Sequence, residues 1–442
     1  SLRALSRDLD ISISTALQAY MTLENQGLLE ARPQSGFYVR SRLVAASSQP
    51  DMTKPPMTAV RPGKAEVMTD VYRAMGQREM VPLGAANLPT ELLPTRQLHA
   101  MLARMTRLYP DEAMAYDTLP GNERLRRELS KRSITLGSAY APGEIVTTVG
   151  CMEAVNLALR ATTSPNAIVA VESPTYYGIL QSAAAMGLRV LELPTEASTG
   201  LCLMHLERAL KRFPVKAVVV TPNYNNPLGS QMPVANKQKL AELAARFEVP
   251  VIEDDIYGDL PHDGERGAAV RAFDKKNWAI YTSSFSKTLS PGYRVGWAVP
   301  GPRFFEKIER MKFTETVATA TPVQMAVAEY LRNGGYDRWL RKLRKQLKVQ
   351  VECATQAVLR AFPEGTRVTR PSGGFVLWVE LPKRVDALAL HTACLKKGIS
   401  IAPGPIFSTH NRYGNFIRLN CGNVWSAKIE RAIKTIGEMA AK

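Results

Sequence analysis

At 442 residues, with 45% hydrophobic and 22% charged side chains, the chain is long for one core and reads as globular, with two or three domains expected. No apolar run reaches the length of a membrane span, and five scattered cysteines without a CxxC pair exclude a disulfide framework and a thiolate metal site, the usage of a cytoplasmic protein. The net charge of +17 suits a polyanionic partner, nucleic acid being the usual one, and charge alone leaves that reading even with a generally basic surface.

Residues 1–42 read as one small unit. "SLRALSRDLD" has helical spacing, "DIS" breaks it, and Ser12 is placed as N-cap for "ISTALQAYMTLENQG", which Gly27 ends. "LLEARPQSGFYVR" then gives two strand-like runs about Pro33-Gln34-Ser35-Gly36, a hairpin signal. Helix, turn, helix and hairpin is the order of a winged helix-turn-helix whose first helix is missing here, as expected of an N-terminal fragment. The second helix would enter the major groove, with Ser12, Ser14, Thr15 and Gln18 towards phosphates or base edges. Leu17, Tyr20, Leu23 and Leu28 are expected in the core, and the Gln34-Ser35-Gly36 tip is expected near the minor groove.

Residues 43–65 are rich in Pro, Ser and Ala and read as a linker. Beyond them, "EIVTTVG", "AIVAVES", "RVLELP", "KAVVVTP", "VPVIEDD", "WAIYTSS" and "YRVGWAVP" alternate with helical stretches, which predicts an α/β domain with a mainly parallel sheet over 66–320. Long helices, then "GFVLWVELP" and "FIRLNCG", predict a smaller α+β C-terminal lobe over 321–442. Within it, residues 332–348 carry seven Lys or Arg against Asp337 alone, with Trp339, Leu340, Leu343 and Leu347 at helical spacing. The first 42 residues are almost neutral, so this helix is the best candidate for electrostatic contact with DNA.

Ligands of α/β folds bind at the carboxyl ends of strands, and several strands here end in polar or glycine runs. In "VTTVGCMEA" the backbone N–H groups of Gly150 and Cys151 open a helix and suit an anion. "VIEDDIYGD" ends an apolar strand in carboxylates, which calls for a cation to meet them. "SSFSKTLSPGYR" brings hydroxyls, an ammonium and a guanidinium together, suited to a phosphate and a reactive amine. A lysine for a Schiff base, a phosphate cradle and a DxxY pair together suit pyridoxal 5'-phosphate.

On these motifs, with Tyr116 and "GNERLR", "ESPTYYG", "TPNYNNPLG", "PSGGFVLW" and "NFIRLNCG", residues from about 80 to 442 resemble a fold-type-I aminotransferase. The first unit resembles a GntR-type winged helix, and the pair resembles the MocR subfamily of transcriptional regulators, its YdcR-like members most of all. The resemblance implies that Lys287 holds the cofactor as an internal aldimine and that Asp254 pairs with the pyridine nitrogen. It implies that Tyr257 and Asn226 bond the phenolic oxygen, and that Tyr176, or adjacent Tyr177, stacks on the ring. Ser284 and Arg294 would hold the phosphate with the Gly150–Cys151 turn, and Tyr116 would reach the phosphate of a second subunit, implying a homodimer. Arg418 would take the carboxylate of an amino acid, or else bridge a carboxylate within the small lobe. Ser286, Asp255 and Glu253 are left as structural. In the winged unit Arg3 matches a family arginine.

Two departures stand out. Cys151 and Met152 occupy positions where the family often has a hydroxyl or Gln, and Ile13 stands where it commonly has Arg. The resemblance implies a regulator that binds DNA, on paired half-sites, and senses an amino compound or the cofactor itself. The alternative is a working amino-acid aminotransferase with an accessory DNA-binding unit.

Overall fold

The computed structural model describes residues 2–25, 29–32, 36–39, 48–63, 69, 71, 73 and 79–442. Two units follow from the chain's own contacts, residues 1–47 and 48–442.

In the first unit, helices α1 (Leu2–Asp8) and α2 (Ile13–Asn25) are separated by a tight turn at Asp10, whose φ is +50°. Ser12 caps α2 as its sequence position predicts, its Oγ accepting from the Thr15 amide at 3.0 Å. Strands β1 (Leu29–Arg32) and β2 (Gly36–Val39) pair antiparallel, Leu29 opposite Val39. Tyr20 of α2 packs edge-on to Phe37 of β2, and Ala16 and Leu29 are buried. Leu17, expected in the core, is instead exposed. With Ile13 and Met21 it forms an apolar stripe four residues apart on α2, open to solvent among the described residues. The Gly27 cap, Leu28 and the Gln34-Ser35 tip lie outside the described residues.

In the second unit, β3 (Val81–Pro82) is followed by α3 (Thr95–Leu108), α4 (Pro110–Met114) and α5 (Glu123–Ser133). Then strands and helices alternate: β4 (Val146–Val149), α6 (Cys151–Thr162), β5 (Ile168–Ser173), α7 (Tyr177–Ala185), β6 (Arg189–Glu196) and β7 (Gly200–Leu201). The alternation continues through α8 (Leu203–Arg212), β8 (Val215–Val220), α9 (Val234–Phe247), β9 (Val251–Asp254), β10 (Ala279–Ser284) and β11 (Val295–Val299). These strands form one eight-stranded sheet in the order β4-β11-β10-β9-β8-β5-β6-β7. Five neighbours, β10 through β6, run parallel, while β11 and β7 run antiparallel to their partners. The strands are continuous apolar runs because helices cover both faces, and every residue of β5, β9, β10 and β11 is buried.

After α10 (Phe305–Thr316) and α11 (Thr321–Arg332) comes a 27-residue helix, α12 (Gly335–Ala361). The smaller layer follows as β12 (Arg367–Val368), β13 (Val376–Glu380), α13 (Ala387–Lys396), β14 (Ile399–Ser400), β15 (Ala402–Pro403), β16 (Phe416–Asn420) and α14 (Ala427–Ala441). Its four-stranded antiparallel sheet has the order β12-β13-β16-β15, while β14 pairs in parallel with β3. The basic stretch read as one helix over 332–348 is broken at Asn333-Gly334, where Gly334 takes φ +69°. Arg332 therefore ends α11 and pairs with Glu329 at 2.7 Å. Leu340, Leu343 and Leu347 are buried as expected.

Residues 48–63, inside the stretch read as a linker, belong to the second unit and lie against the rest of it. Asp51 pairs with Arg367 at 2.5 Å, the Thr53 hydroxyl lies 2.6 Å from that of Tyr413, and Val60 makes a two-way backbone bridge to Val190. Tyr413 in turn lies 3.0 Å from Ser173 at the end of β5.

Candidate cofactor site

The ends of β4, β5, β8, β9 and β10 converge on a cavity of about 340 Å³. Its lining includes Lys287, Asp254, Tyr257, Asn226, Tyr176, Tyr177, Cys151 and Arg294, residues from far-separated motifs.

Lys287 follows β10 in a single 3₁₀ turn, and its Nζ donates to the Ala86 carbonyl at 2.7 Å and to Asn87 Oδ1 at 3.1 Å. Burial lowers the Lys287 amine to about 8, with Arg418 adding to the effect and Asp254 opposing it. A larger fraction is thus neutral, and nucleophilic, near pH 7 than for an ordinary lysine. Burial raises the Asp254 carboxyl to about 6, against the lowering by the Cys151 thiol and the Ile256 amide. Cys151 Sγ lies 3.2 Å from Asp254 Oδ1, and the Ile256 amide donates to the same oxygen at 3.2 Å. The side chain of Cys151 therefore faces the carboxylate rather than the anion position ahead of its helix.

That position is tightly built. Gly150 takes φ +82°, and a Cβ there would lie 2.5 Å from Arg294 Nη2. Arg294 donates to the Val149 carbonyl at 2.9 Å, and a Cβ on Gly296 would lie 2.5 Å from the Gly150 carbonyl carbon. Glu153 holds the turn from behind, accepting from the Val149 amide at 2.6 Å and pairing with fully buried Lys312 at 2.9 Å. Ser284 is buried and does not line the cavity; its Oγ accepts from the Ser286 amide at 3.3 Å. Ser286, read as structural, does line it. Tyr176 and Tyr177 both reach the cavity with ring centroids 4.7 Å apart.

Two buried groups lack partners in a way that points to a ligand. Among the described residues, Asn226 Oδ1 has no hydrogen-bond partner, and neither do Nε and Nη1 of fully buried Arg418. Arg418 bonds the Gly84 carbonyl through Nη2 and stands opposite Trp378 in the small sheet. The segment Gly84–Asn87 thus touches both Arg418 and Lys287. Tyr116 lies outside the cavity lining and is 86% exposed.

Behind the site runs a buried ionic chain. Arg266 bridges Asp255 and Asp259, each at 2.5 Å, and against the pull of burial Arg266 and Arg132 hold Asp259 well below the usual carboxylate range. From α12, the Tyr336 hydroxyl donates to Asp259 Oδ2 at 2.6 Å and lies 3.0 Å from Thr288 Oγ1, while Trp339 Nε1 donates to the Thr288 carbonyl at 3.0 Å. The residue next to Lys287 is thereby fastened to the long basic helix.

An amine kept partly neutral, a carboxylate, and a guanidinium packed on a glycine turn form the donor set for a phosphorylated pyridine aldehyde. The aminotransferase class I and II family matches residues 78–436. The chain is 36% identical to the HTH-type transcriptional regulator YjiR of Escherichia coli K12, over 99% of this chain and 93% of that one. It belongs to the MocR type of helix-turn-helix regulators that carry a class I and II aminotransferase domain. YdcR of the same organism is likewise 36% identical, over 97% of this chain and 91% of its own length. Among solved structures, the kynurenine aminotransferase of Pyrococcus horikoshii, in complex with PMP, superposes with a TM-score of 0.80. It is 29% identical, with 86% of this chain and 95% of that one covered. The cofactor of this family is pyridoxal phosphate, and the residues present fit it.

Proposed function

We propose that this chain is a DNA-binding transcription regulator whose aminotransferase-like unit senses an amino compound, or pyridoxal phosphate itself, at Lys287. One observation carries the reading: the full-length relatives are helix-turn-helix regulators, and the first unit of this chain has two helices and a paired hairpin in that order. Bound pyridoxal phosphate supplies an aldehyde for the lysine amine and an electron sink for the α-carbon of an amino ligand.

The protein groups would divide the work as follows. Lys287 would hold the aldehyde, and its amine is placed to take or return a proton. Asp254 would keep the ring nitrogen protonated, while Asn226 and Tyr257 would meet the phenolic oxygen, Tyr176 the ring face, and Arg294 and the Gly150–Cys151 turn the phosphate, with Ser284 one hydrogen bond behind the lining at Ser286. Arg418, whose Nε and Nη1 are unpartnered among the described residues, would receive a carboxylate as a charged pair. Exposed Tyr116 is free to serve a second subunit, and a cytoplasmic homodimer would present two winged units to paired half-sites. Ser12, Ser14, Thr15 and Gln18 lie exposed at the start of α2, where a recognition helix reads DNA.

Arg418 also favours the second reading, an active aminotransferase with an accessory DNA-binding unit. Gel shifts on the chain's own upstream region, with and without pyridoxal phosphate, decide the first. A specific band that responds to the cofactor in the wild type, and not in Lys287→Ala, is expected. Absence of any specific band at moderate salt would sink it. An amino-acid panel followed by visible absorption and keto-acid assay tests the second, which requires sustained turnover.

A further inference from the structure

We infer that the outward face of α12 binds the phosphate backbone of double-stranded DNA. Of the net charge of +17, the first 42 residues hold one unit, five arginines facing four carboxylates, so sixteen lie on the remainder. Arg338, Arg341, Lys342 and Lys345 fall at i, i+3, i+4 and i+7 of α12, one stripe of the helix, and all four are exposed.

Elsewhere the protein quenches helical cations with carboxylates one turn away, as in Arg127–Glu123, Lys211–Glu207 and Lys434–Glu438. Around this stripe it does not. Asp337, one turn before Arg341, is taken by Arg132 at 2.7 Å. Lys348 is taken by Asp263, and Arg344 Nε turns inward to the Asp259 carbonyl. Among the described residues, no ion pair involves the four stripe residues.

The stripe is also held still. Tyr336, Leu340, Leu343 and Leu347 are buried on the opposite side, and Tyr336 and Trp339 are fastened to Thr288. Four unquenched cations on a rigid helix, spread over about 10 Å at 1.5 Å per residue, match a linear polyanion, whose counterions their binding would release. The choice of DNA over an acidic protein rests on the regulator reading.

The test uses the full chain loaded with pyridoxal phosphate and a random-sequence duplex, so that no operator is needed. Binding is followed by anisotropy across a salt series. Neutralising the stripe (R338A/R341A/K342A/K345A) should flatten the slope of log affinity against log salt by about 2–4 and weaken binding at least about tenfold near 0.1 M salt. The charge-matched control K383A/R384A/K396A/K397A, at exposed basic positions on and beside α13, should change the slope by less than about one. R338K/R341K, which keeps the charge, should bind as the wild type does. Unchanged cofactor absorption in each variant shows an intact unit. An unaltered slope in the stripe variant, or no duplex binding by the wild type, overturns the inference and leaves the face to solvent or an acidic protein. Loss of preference for the upstream region, with the stripe's salt response intact, would overturn the regulator reading alone.

Discussion

Asp254 is a buried carboxylate kept partly ionised by two hydrogen bonds, and one of them comes from the thiol of Cys151. Removing that donor in Cys151→Ala should raise the Asp254 pKa above about 6, so that more of it is protonated and its pull on a ring nitrogen weakens. Cofactor affinity, read by absorbance titration, is expected to fall about three- to tenfold near pH 6.5, the worth of roughly 1 kcal/mol. The deficit should shrink by pH 8.5, where the carboxylate ionises in either protein, and Cys151→Ser should restore it. At this scale Lys287, Asp254 and Arg294 were legible because each sits in a short motif whose chemistry needs that residue type. Asn87 was not, because it reaches Lys287 from 200 positions away in a run of small residues with no charge to mark it. Cys151 was legible as an oddity but not in its direction, since a helix start shows where the backbone N–H groups point and leaves the side chain open.

At the level of elements, α12 joins two roles. Its inner face closes a buried ionic chain through Tyr336, whose hydroxyl is the only group that Tyr336→Phe removes. That change leaves Asp259 with one bond fewer beside the fully buried Tyr336 ring, and about 1–3 kcal/mol of unfolding free energy should be lost. Urea denaturation of the cofactor-loaded chain measures it, with Tyr116→Phe, at an exposed hydroxyl, expected to stay within about 0.5 kcal/mol of wild type. The seven strand-like runs named from sequence correspond to β4, β5, β6, β8, β9, β10 and β11, since fully buried parallel strands must be unbroken apolar segments. The break at Asn333-Gly334 was harder to see, because apolar residues keep helical spacing across it and only the positive φ of Gly334 ends the run. Leu17 shows the opposite error. Its spacing says which face it shares, and nothing in spacing says whether a neighbour covers that face.

Over the whole molecule, the cofactor cavity belongs entirely to residues of the second unit. Ligand binding stabilises only the species that binds, by about 2.7 kcal/mol at a hundredfold excess over Kd. Calorimetry should therefore show pyridoxal phosphate raising the larger of two melting transitions by a few degrees while the transition of residues 1–47 stays in place. A single transition moving as one would contradict the division into independent cores. The order of units was legible from composition and periodicity along the chain. The docking of residues 48–63 was not, since its anchors are Asp51, Thr53 and Val60, ordinary residues whose partners Arg367, Tyr413 and Val190 lie far along the sequence.

The fastening of Tyr336 and Trp339 to Thr288 has a consequence in the language of linked equilibria. A ligand that displaced the backbone beside Lys287 would do work on α12, and a polyanion that fixed α12 would do work on the lysine. Any factor by which an amine alters the grip of this helix on DNA must then reappear, unchanged in size, as the factor by which DNA alters the affinity for that amine. The protein would thus hold its small ligand differently on and off the chromosome, and its apparent sensitivity would depend on how much of it is bound there.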